Sequence, residues 1–473
     1  MKRFLASVLA PVLLFLCLFS FAAAEGAELL TSGDFVYRVK PDGTAVLTGY
    51  TGKSEDLVIP AQFDGTAVTE IGPEAFKGKA ALMTVTLPET IIEIGDYAFF
   101  RCENLAYINL PAGIREIGRN PFASCSLDCL DIAPGHPCLS LEDGVLYSLP
   151  DQRLVAYSIS RPKGDFTVPD GIRIIGASAF YECKTLTGLT LPDTVTSIGK
   201  KAFYQCSLLK SINLPDSISY LGDGAFNGCS NLRSLTCPDT VTEIGTSAFE
   251  DCTSLEELIL PEGATSIGDR AFFNCSSLTS VELPEDISSI GQNTFAECRN
   301  LQKIVIPDEV TYIGGGAFLN CYALSEINIP EDVSYIGNSA FYKCTSLEEL
   351  ELPDSCFYIG SSAFLGCTSL KELTLPMMLN AISAEVFAGC AFEEIELPSR
   401  ITSIGDRAFL GCVNLTSVEI PGKVTTIGEQ AFYGCRSLAE ADLPDSLTYV
   451  ASSAFDLCPV QAELDLSSLS DPE

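Results

Sequence analysis

The sequence contains a single histidine and few basic residues. Its 28 lysine and arginine residues are outnumbered by 62 aspartate and glutamate residues, which gives a formal net charge of −34. Because a field of this sign repels nucleic acid and anionic lipid, we expect neither as a partner. One imidazole without a Cys-His or Glu-His spacing forms neither a zinc site nor a general-base constellation. His136, set between Gly135 and Pro137, is therefore interpreted as a surface turn residue.

Other signatures of chemistry are also missing. The repeated Gly-Ala-Ser-Ala-Phe pattern at residues 176–180 imitates part of a nucleophile elbow, but it lacks the last glycine and a histidine partner. No pair of carboxylates stands out from the repeat as a glycosidase would require. We therefore assign no catalytic residue, cofactor site or metal site, and we expect a protein that is not an enzyme.

Long apolar runs are absent after the first two dozen residues, so we expect no membrane span in the mature chain. Residues 1–24 contain Lys2 and Arg3, an apolar run, and three alanines before Glu25. This pattern predicts a secretory signal peptide with an A-x-A cleavage site, and hence a secreted or cell-surface protein. An uncleaved N-terminal anchor is the alternative.

The chain instead contains a 23-residue repeat of the form I-G-x-x-A-F-x-x-C-x-x-L-x-x-[LIV]-x-[LI]-P-x-x-[VI]-x-x. A fixed period in the twenties over sixteen copies predicts a solenoid, in which stacked coils share one core. The sixteen repeat phenylalanines are Phe76, Phe99, Phe122, Phe180, Phe203, Phe226, Phe249, Phe272, Phe295, Phe318, Phe341, Phe364, Phe387, Phe409, Phe432 and Phe455.

Each copy predicts one coil. In the copy at residues 209–215, Ile212 and Leu214 should point inward, and Ser211 and Asn213 should face outward. Pro215 should end the strand, because it cannot donate to a ladder. The following Gly222 is expected to adopt a positive φ at the corner. The Ala-Phe-x-x-Cys segment is interpreted as one helical or 3₁₀ turn that inserts Phe and Cys into the core.

Twenty cysteines in an exported protein would usually indicate disulfides. Fifteen of them, however, lie three residues after a repeat phenylalanine, at one inward position. Cys237 and Cys356 replace apolar residues, so they also belong in the core, where free cysteine behaves as a small hydrophobe. We expect these seventeen to be free thiols, with Cys129 and Cys138 the only plausible bridge.

The repeat resembles the BspA-like leucine-rich repeats of bacterial surface and secreted proteins, from about Ile59 to Cys458. The resemblance implies a right-handed leucine-rich-repeat coil with a parallel β-sheet face and short helical or 3₁₀ turns. It also implies adhesion, with a protein or glycan at a cell or matrix surface as the partner. The expected organisation is a signal peptide (1–24), an N-terminal β-hairpin cap (25–60), repeats (61–132), a hairpin island within an enlarged coil (133–168), further repeats (169–458) and a tail (459–473).

The island interrupts the repeat between Phe122 and Phe180. Its short strands, at residues 139–141, 145–147 and 154–157, predict a protruding hairpin. Direct ligand contact there is an alternative, because long insertions map to one face of a solenoid. An enzyme built on this island is the least favoured function.

The outward strand positions become acidic in the last five rungs. Since like charges facing each other across neighbouring strands destabilise a sheet, this patch is the candidate binding surface. Its partner should be cationic, either a basic protein surface or divalent metal ions that bridge carboxylates. Drift among near-identical copies, leaving only a solvated surface, is the alternative. The candidate residues are Glu349, Glu351, Glu372, Glu394, Glu396, Glu419, Glu440 and Asp442.

Tyr312, Tyr335 and Tyr358 form a second candidate site, because they occupy the same slot in three consecutive copies. Stacking of the rings to stabilise the solenoid is the favoured interpretation. The alternative is a carbohydrate-binding module that uses this tyrosine ladder.

Overall fold

A computed structural model describes residues 28–462, together with residues 464 and 469. The predicted signal peptide lies outside the described residues. Most coils contribute one strand to the short parallel sheets on one side, which we call the strand face, because the L-x-x-[LI]-x-[LI]-P segment alternates inward and outward side chains. A second short strand, at the residues that precede the corner glycine, builds a second parallel sheet, which we call the corner ladder. A leucine-rich-repeat solenoid is therefore confirmed.

The strands of the strand face are Asp56–Val58, Thr84–Thr86, Tyr107–Leu110, Leu130–Ile132, Gly164–Thr167, Leu186–Thr190, Ser211–Ile212, Ser234–Thr236, Glu257–Ile259, Ser280–Glu282, Lys303–Val305, Glu326–Ile327, Glu349–Glu351, Glu372–Thr374, Ser417–Glu419 and Glu440–Asp442. Paired strands are parallel, and from Asp165 onward they keep the 23-residue register of the sequence, as in Ser234 opposite Glu257. Outward positions of successive copies therefore lie side by side.

The strands of the corner ladder are Ala45–Tyr50, Thr66–Ile71, Glu93–Ile94, Glu116–Ile117, Arg153–Tyr157, Ile174–Ile175, Ser197–Ile198, Tyr220–Leu221, Glu243–Ile244, Ser266–Ile267, Ser289–Ile290, Tyr312–Ile313, Tyr335–Ile336, Tyr358–Ile359, Ser403–Ile404, Thr426–Ile427 and Tyr449–Val450. At the N-terminal end, Leu30–Ser32, Phe35–Val39 and Ala45–Tyr50 pair antiparallel, and the last of these continues parallel to Thr66–Ile71. This hairpin sheet covers the first coil, as a solenoid end requires.

The third side of each coil is a pair of turns rather than a regular helix. The carbonyl of Phe249 accepts hydrogen bonds from the Cys252 N–H (3.1 Å) and from the Cys275 thiol of the next coil (3.2 Å). The residue before each repeat cysteine adopts a left-handed conformation, as in Asp251 (φ 61°) and Asn274 (φ 58°). Within the described residues, 3₁₀ helix is confined to Leu127–Cys129 and Pro459–Ala462.

The repeat phenylalanines are buried and form two columns of rings, one from Phe76 to Phe122 and one from Phe180 to Phe455. Neighbouring rings are stacked, with centroids 5.1 Å apart for Phe203 and Phe226 and 5.5 Å apart for Phe226 and Phe249. The predicted inward placement of Phe and Cys is confirmed. Each cysteine of the described residues is free, including Cys129 and Cys138. A thiol rather than a methyl group at this slot satisfies the second lone pair of a buried carbonyl.

The positive φ expected for the corner glycines is wrong. Gly222 and Gly245 lie outside the left-handed region. Glycine is required there because the coils approach closely. A Cβ on Gly222 would lie 2.4 Å from the backbone nitrogen of Lys200, and one on Gly245 would lie 2.9 Å from the backbone nitrogen of Asp223. The restriction comes from the neighbouring coil, not from the turn.

The island does not protrude. Its strands Leu139–Glu142, Val145–Ser148 and Arg153–Tyr157 form an antiparallel meander, and the last strand joins the corner ladder beside Ile174–Ile175. All four residues of Val145–Ser148 are buried. Alternate side chains enter different cores: Leu146 packs with the N-terminal coils, whereas Val145 and Tyr147 pack with the C-terminal coils. The meander is therefore a partition between two stacks of coils.

The surface position expected for His136 is also wrong. Its ring is buried (6% exposed), with Nε2 3.1 Å from the Pro111 carbonyl oxygen, while Nδ1 accepts from the N–H groups of Cys138 and Leu139. Desolvation by burial lowers the pKa of His136. Both ring nitrogens are engaged in holding the island turn, so the histidine has a structural role.

Candidate binding face

The acidic outward positions form two groups on the strand face. In the first, Glu349–Glu351 pairs with Glu372–Thr374, so that the exposed side chains of Glu349 and Glu372 stand opposite each other. In the second, Ser417–Glu419 pairs with Glu440–Asp442, so that Glu419 faces Asp442. Carboxylates opposite each other across neighbouring strands repel, which is a cost to the sheet rather than a benefit.

Glu394 and Glu396 lie between the two groups but not on a strand. Their copy is one residue shorter between Cys390 and the strand segment, and no strand forms between Glu372–Thr374 and Ser403–Ile404. Phe392 occupies the usual leucine slot, where it is fully buried and packs edge-on against Phe387. The two carboxylates remain exposed. The predicted patch is thus two paired-strand groups joined by an irregular coil.

The strand face also carries shallow grooves, which sequence reasoning missed. Three adjoining grooves of about 860, 840 and 910 Å³ extend along the rungs from Glu256 to Thr374. Among the described residues that line them, Lys303 is the only basic one, and its ammonium lies 2.7 Å from Glu326. The carboxylates that line the grooves are Glu256, Glu257, Glu262, Glu282, Glu285, Asp286, Asp308, Glu309, Glu326, Glu349, Glu351 and Glu372.

Two features of the grooves could have been found in the sequence. Glu262, Glu285 and Asp308 each follow the proline that ends a strand, and this slot is acidic in several consecutive copies. Ile259 and Val305 occupy outward positions, where they are 61% and 60% exposed. These two side chains give the grooves apolar surface beside the bordering carboxylates.

Some outward polar side chains serve the solenoid itself. The Asn213 amide accepts a hydrogen bond from the Leu191 N–H (2.8 Å) and donates to the Leu191 carbonyl (3.0 Å). Asn328 makes the same two bonds with Ile306. These asparagines extend the ladder beyond the end of the strand, whereas the outward carboxylates of the acidic rungs are directed to solvent.

The tyrosine ladder is present, and its rings stack on each other. Centroids are 5.0 Å apart for Tyr312 and Tyr335 and 4.7 Å apart for Tyr335 and Tyr358, with interplanar angles of 13° and 12°. Burial, followed by the neighbouring phenols, raises the pKa of Tyr335. Because each ring face in the middle of the ladder is covered by the next ring, stacking within the chain accounts for the repeated tyrosines.

The described residues offer little reactive chemistry. Burial raises the pKa of the Cys298 and Cys367 thiols to about 12, and a buried neutral thiol is a poor nucleophile. No group of three or more His, Cys, Asp or Glu side chains in the described part of the chain is arranged to hold a metal ion. Helices long and apolar enough to cross a membrane are likewise absent from that part.

Comparisons with known proteins identify the repeat as a leucine-rich repeat. The sequence profile of the BspA type leucine rich repeat region matches residues 69–148, 160–275, 232–348 and 334–462. The structure is similar to a leucine-rich repeat protein from Bacteroides ovatus, with a TM-score of 0.51, 28% identity, and coverage of 88% of this chain and 95% of that one.

Two further solved structures are also similar. One is a leucine rich cell surface protein from Faecalibacterium prausnitzii, with a TM-score of 0.38, 25% identity, and coverage of 90% and 96% of the two chains. The other is a leucine rich repeat protein from T. pallidum, with a TM-score of 0.25, 29% identity, and coverage of 53% and 91%. A comparison with curated proteins gives no significant match. The matches indicate no catalytic family. The chain belongs to the BspA-type leucine-rich repeat family.

Proposed function

We propose that this chain is an exported, non-catalytic adhesion-type protein that binds a cationic macromolecule on its strand face. The observation that carries the proposal is the alignment of like charges, Glu349 opposite Glu372 and Glu419 opposite Asp442, on exposed paired strands. Neutral residues at these positions would serve stability better. Proteins of the BspA type are typically surface or secreted, which supports export and a partner at a cell or matrix surface.

The chemistry of the chain supports binding without turnover. His136 has both ring nitrogens occupied by backbone partners, and the repeat thiols donate to carbonyls inside the core. The carboxylates of the strand face, by contrast, are exposed in rows that a basic surface can match. Such rows accelerate encounter with a partner of opposite charge and act mainly on the association rate.

The acidic rows can be tested with a variant that keeps the fold. Replacing Glu351, Glu372, Glu394 and Glu396 by glutamine removes four exposed charges. A basic globular protein with an isoelectric point above about 9 serves as the probe. We expect weaker binding on the order of tenfold at low ionic strength, since exposed charge pairs contribute about 0.2–1 kcal/mol each. The difference should shrink as salt screens charges beyond ~8 Å.

A matched control changes the net charge equally elsewhere. Glu103, Glu142, Glu243 and Glu429 are exposed, and none lies on the strand face. Glutamine at these four positions should leave binding of the basic probe close to that of the unmodified chain. If both quadruple variants bind the probe with the same affinity, the effect belongs to net charge, and the acidic face is only a solvated surface.

A further inference from the structure

The centre of the strand face combines two kinds of contact that a purely ionic surface lacks. Ile259 and Val305 are both about three-fifths exposed at the same outward slot, two rungs apart. Glu282 occupies that slot on the rung between them, and it is also exposed. The slot therefore carries an aliphatic, an acidic and an aliphatic side chain on three successive rungs.

The spacing of these side chains matches an α-helix laid along the axis. Two rungs at the ~4.8 Å spacing of strands separate Ile259 from Val305 by about 10 Å. Seven residues of α-helix rise about 10.5 Å, and residues i, i+3 or i+4, and i+7 lie on one face. A helix with apolar side chains at i and i+7 and a cation between them would place that cation over Glu282. Extended chain fits less well, because its same-face side chains repeat at about 6.7 Å.

The charge and length of the grooves complete the match. The grooves span six rungs, from the rung of Glu257 to the rung of Glu372. Five intervals of ~4.8 Å span about 24 Å, the length of about 16 helical residues. Carboxylates from the strands and from the turns after Pro261 and Pro284 border them, and the single groove lysine, Lys303, is neutralised by Glu326.

We propose that these grooves bind a cationic amphipathic helix of a partner polypeptide, which lies along the solenoid axis. Its aliphatic residues contact Ile259 and Val305, and its lysine and arginine side chains pair with the bordering carboxylates. The mode is that of an amphipathic helix in a groove, with opposite charge setting the choice of partner. The inference rests on the proposed function, because it names the kind of cationic partner that the strand face accepts.

The test uses two synthetic 16-residue peptides of identical leucine and lysine composition. One has leucines at helical i, i+3, i+4, i+7 spacing, and the other is scrambled so that no apolar face forms. Binding is measured by fluorescence anisotropy, with circular dichroism to follow helix formation. We expect the amphipathic peptide to bind about tenfold more tightly and to gain helicity on binding, since two aliphatic contacts add to the shared charge.

The apolar contacts are removed by Ile259→Thr together with Val305→Thr, because threonine already occupies this slot at Thr236 and Thr374. The double variant should lose the preference for the amphipathic peptide, while Val58→Thr, at the same slot of the first rung and 69% exposed, should retain it. Equal binding of both peptides to the unmodified chain would overturn the helix proposal. If that equal binding still weakened with the strand-face glutamine variant, the proposed function would survive; if it did not, both would fail.

Discussion

Replacing one of the stacked repeat phenylalanines should unfold the solenoid locally. Phe272 is fully buried, and its ring stacks between Phe249 (5.7 Å) and Phe295 (5.1 Å). Phe272→Ala should lower the free energy of unfolding by about 3–5 kcal/mol. About 1–3 kcal/mol of this belongs to the two ring contacts, at ~0.5–1.5 kcal/mol each.

The adjacent Phe273 is a matched control. Its ring is partly exposed, and the ring centroid lies 4.0 Å from the Arg270 guanidinium carbon. Phe273→Ala therefore removes a surface cation–π contact of about 0.5–1 kcal/mol and little buried area. Urea denaturation followed by circular dichroism gives the global difference. Hydrogen exchange at Glu257–Ile259 and Ser280–Glu282 reports local opening, because repeats couple mainly to their neighbours. Equal destabilisation by the two substitutions would refute the claim that the stacked phenylalanines form the core of the solenoid.

Three further substitutions test the packing and the electrostatics. Thr294→Ala should stabilise the chain by about 1 kcal/mol or more in thermal denaturation, because the buried Thr294 hydroxyl has no hydrogen-bond partner. Gly222→Ala should destabilise it by about 2 kcal/mol or more despite the ordinary φ, since the added Cβ meets the backbone of the previous coil. Burial and the neighbouring Glu70 and Glu116 raise the pKa of Glu93 to about 7. The penalty for its charge is therefore full above pH 7 and disappears as the pH falls toward 4.5, so Glu93→Gln should stabilise at pH 8 and not at pH 4.5.

The solenoid could be predicted because its signal is repeated sixteen times. Each copy places Phe and Cys at one inward slot, and a periodic core follows without knowledge of any long-range pairing. The stacked tyrosines follow in the same way, since a parallel register of 23 residues brings Tyr312, Tyr335 and Tyr358 side by side.

The island could not be placed by the same reasoning, because it has no second copy. Its short strands were expected at nearly the observed positions, but their exposure was misjudged. Val145–Ser148 and Arg153–Tyr157 are almost continuously apolar, a pattern typical of strands buried on both faces rather than of a protruding hairpin. His136 was misjudged for the same reason, since its burial depends on Pro111 in an earlier coil.

The candidate site was predictable in part. The outward slots of the acidic rungs follow from strand alternation, and their exposure agrees with it. The irregular coil at Glu394 follows from a one-residue deletion whose structural effect depends on how Phe392 fills the core. The grooves depend on how the turns and strands of several coils meet, and the sequence of one copy does not specify this arrangement.

Carbodiimide cross-linking of a basic globular probe to the chain, followed by mass spectrometry, tests the binding face most directly. Lysines of the probe should form amide bonds with strand-face carboxylates such as Glu349, Glu372 and Glu440. Exposed carboxylates away from that face, such as Glu103 and Glu429, should react little. Cross-links spread over all exposed carboxylates in proportion to their exposure would contradict a binding face and leave the acidic rows as ordinary solvated surface.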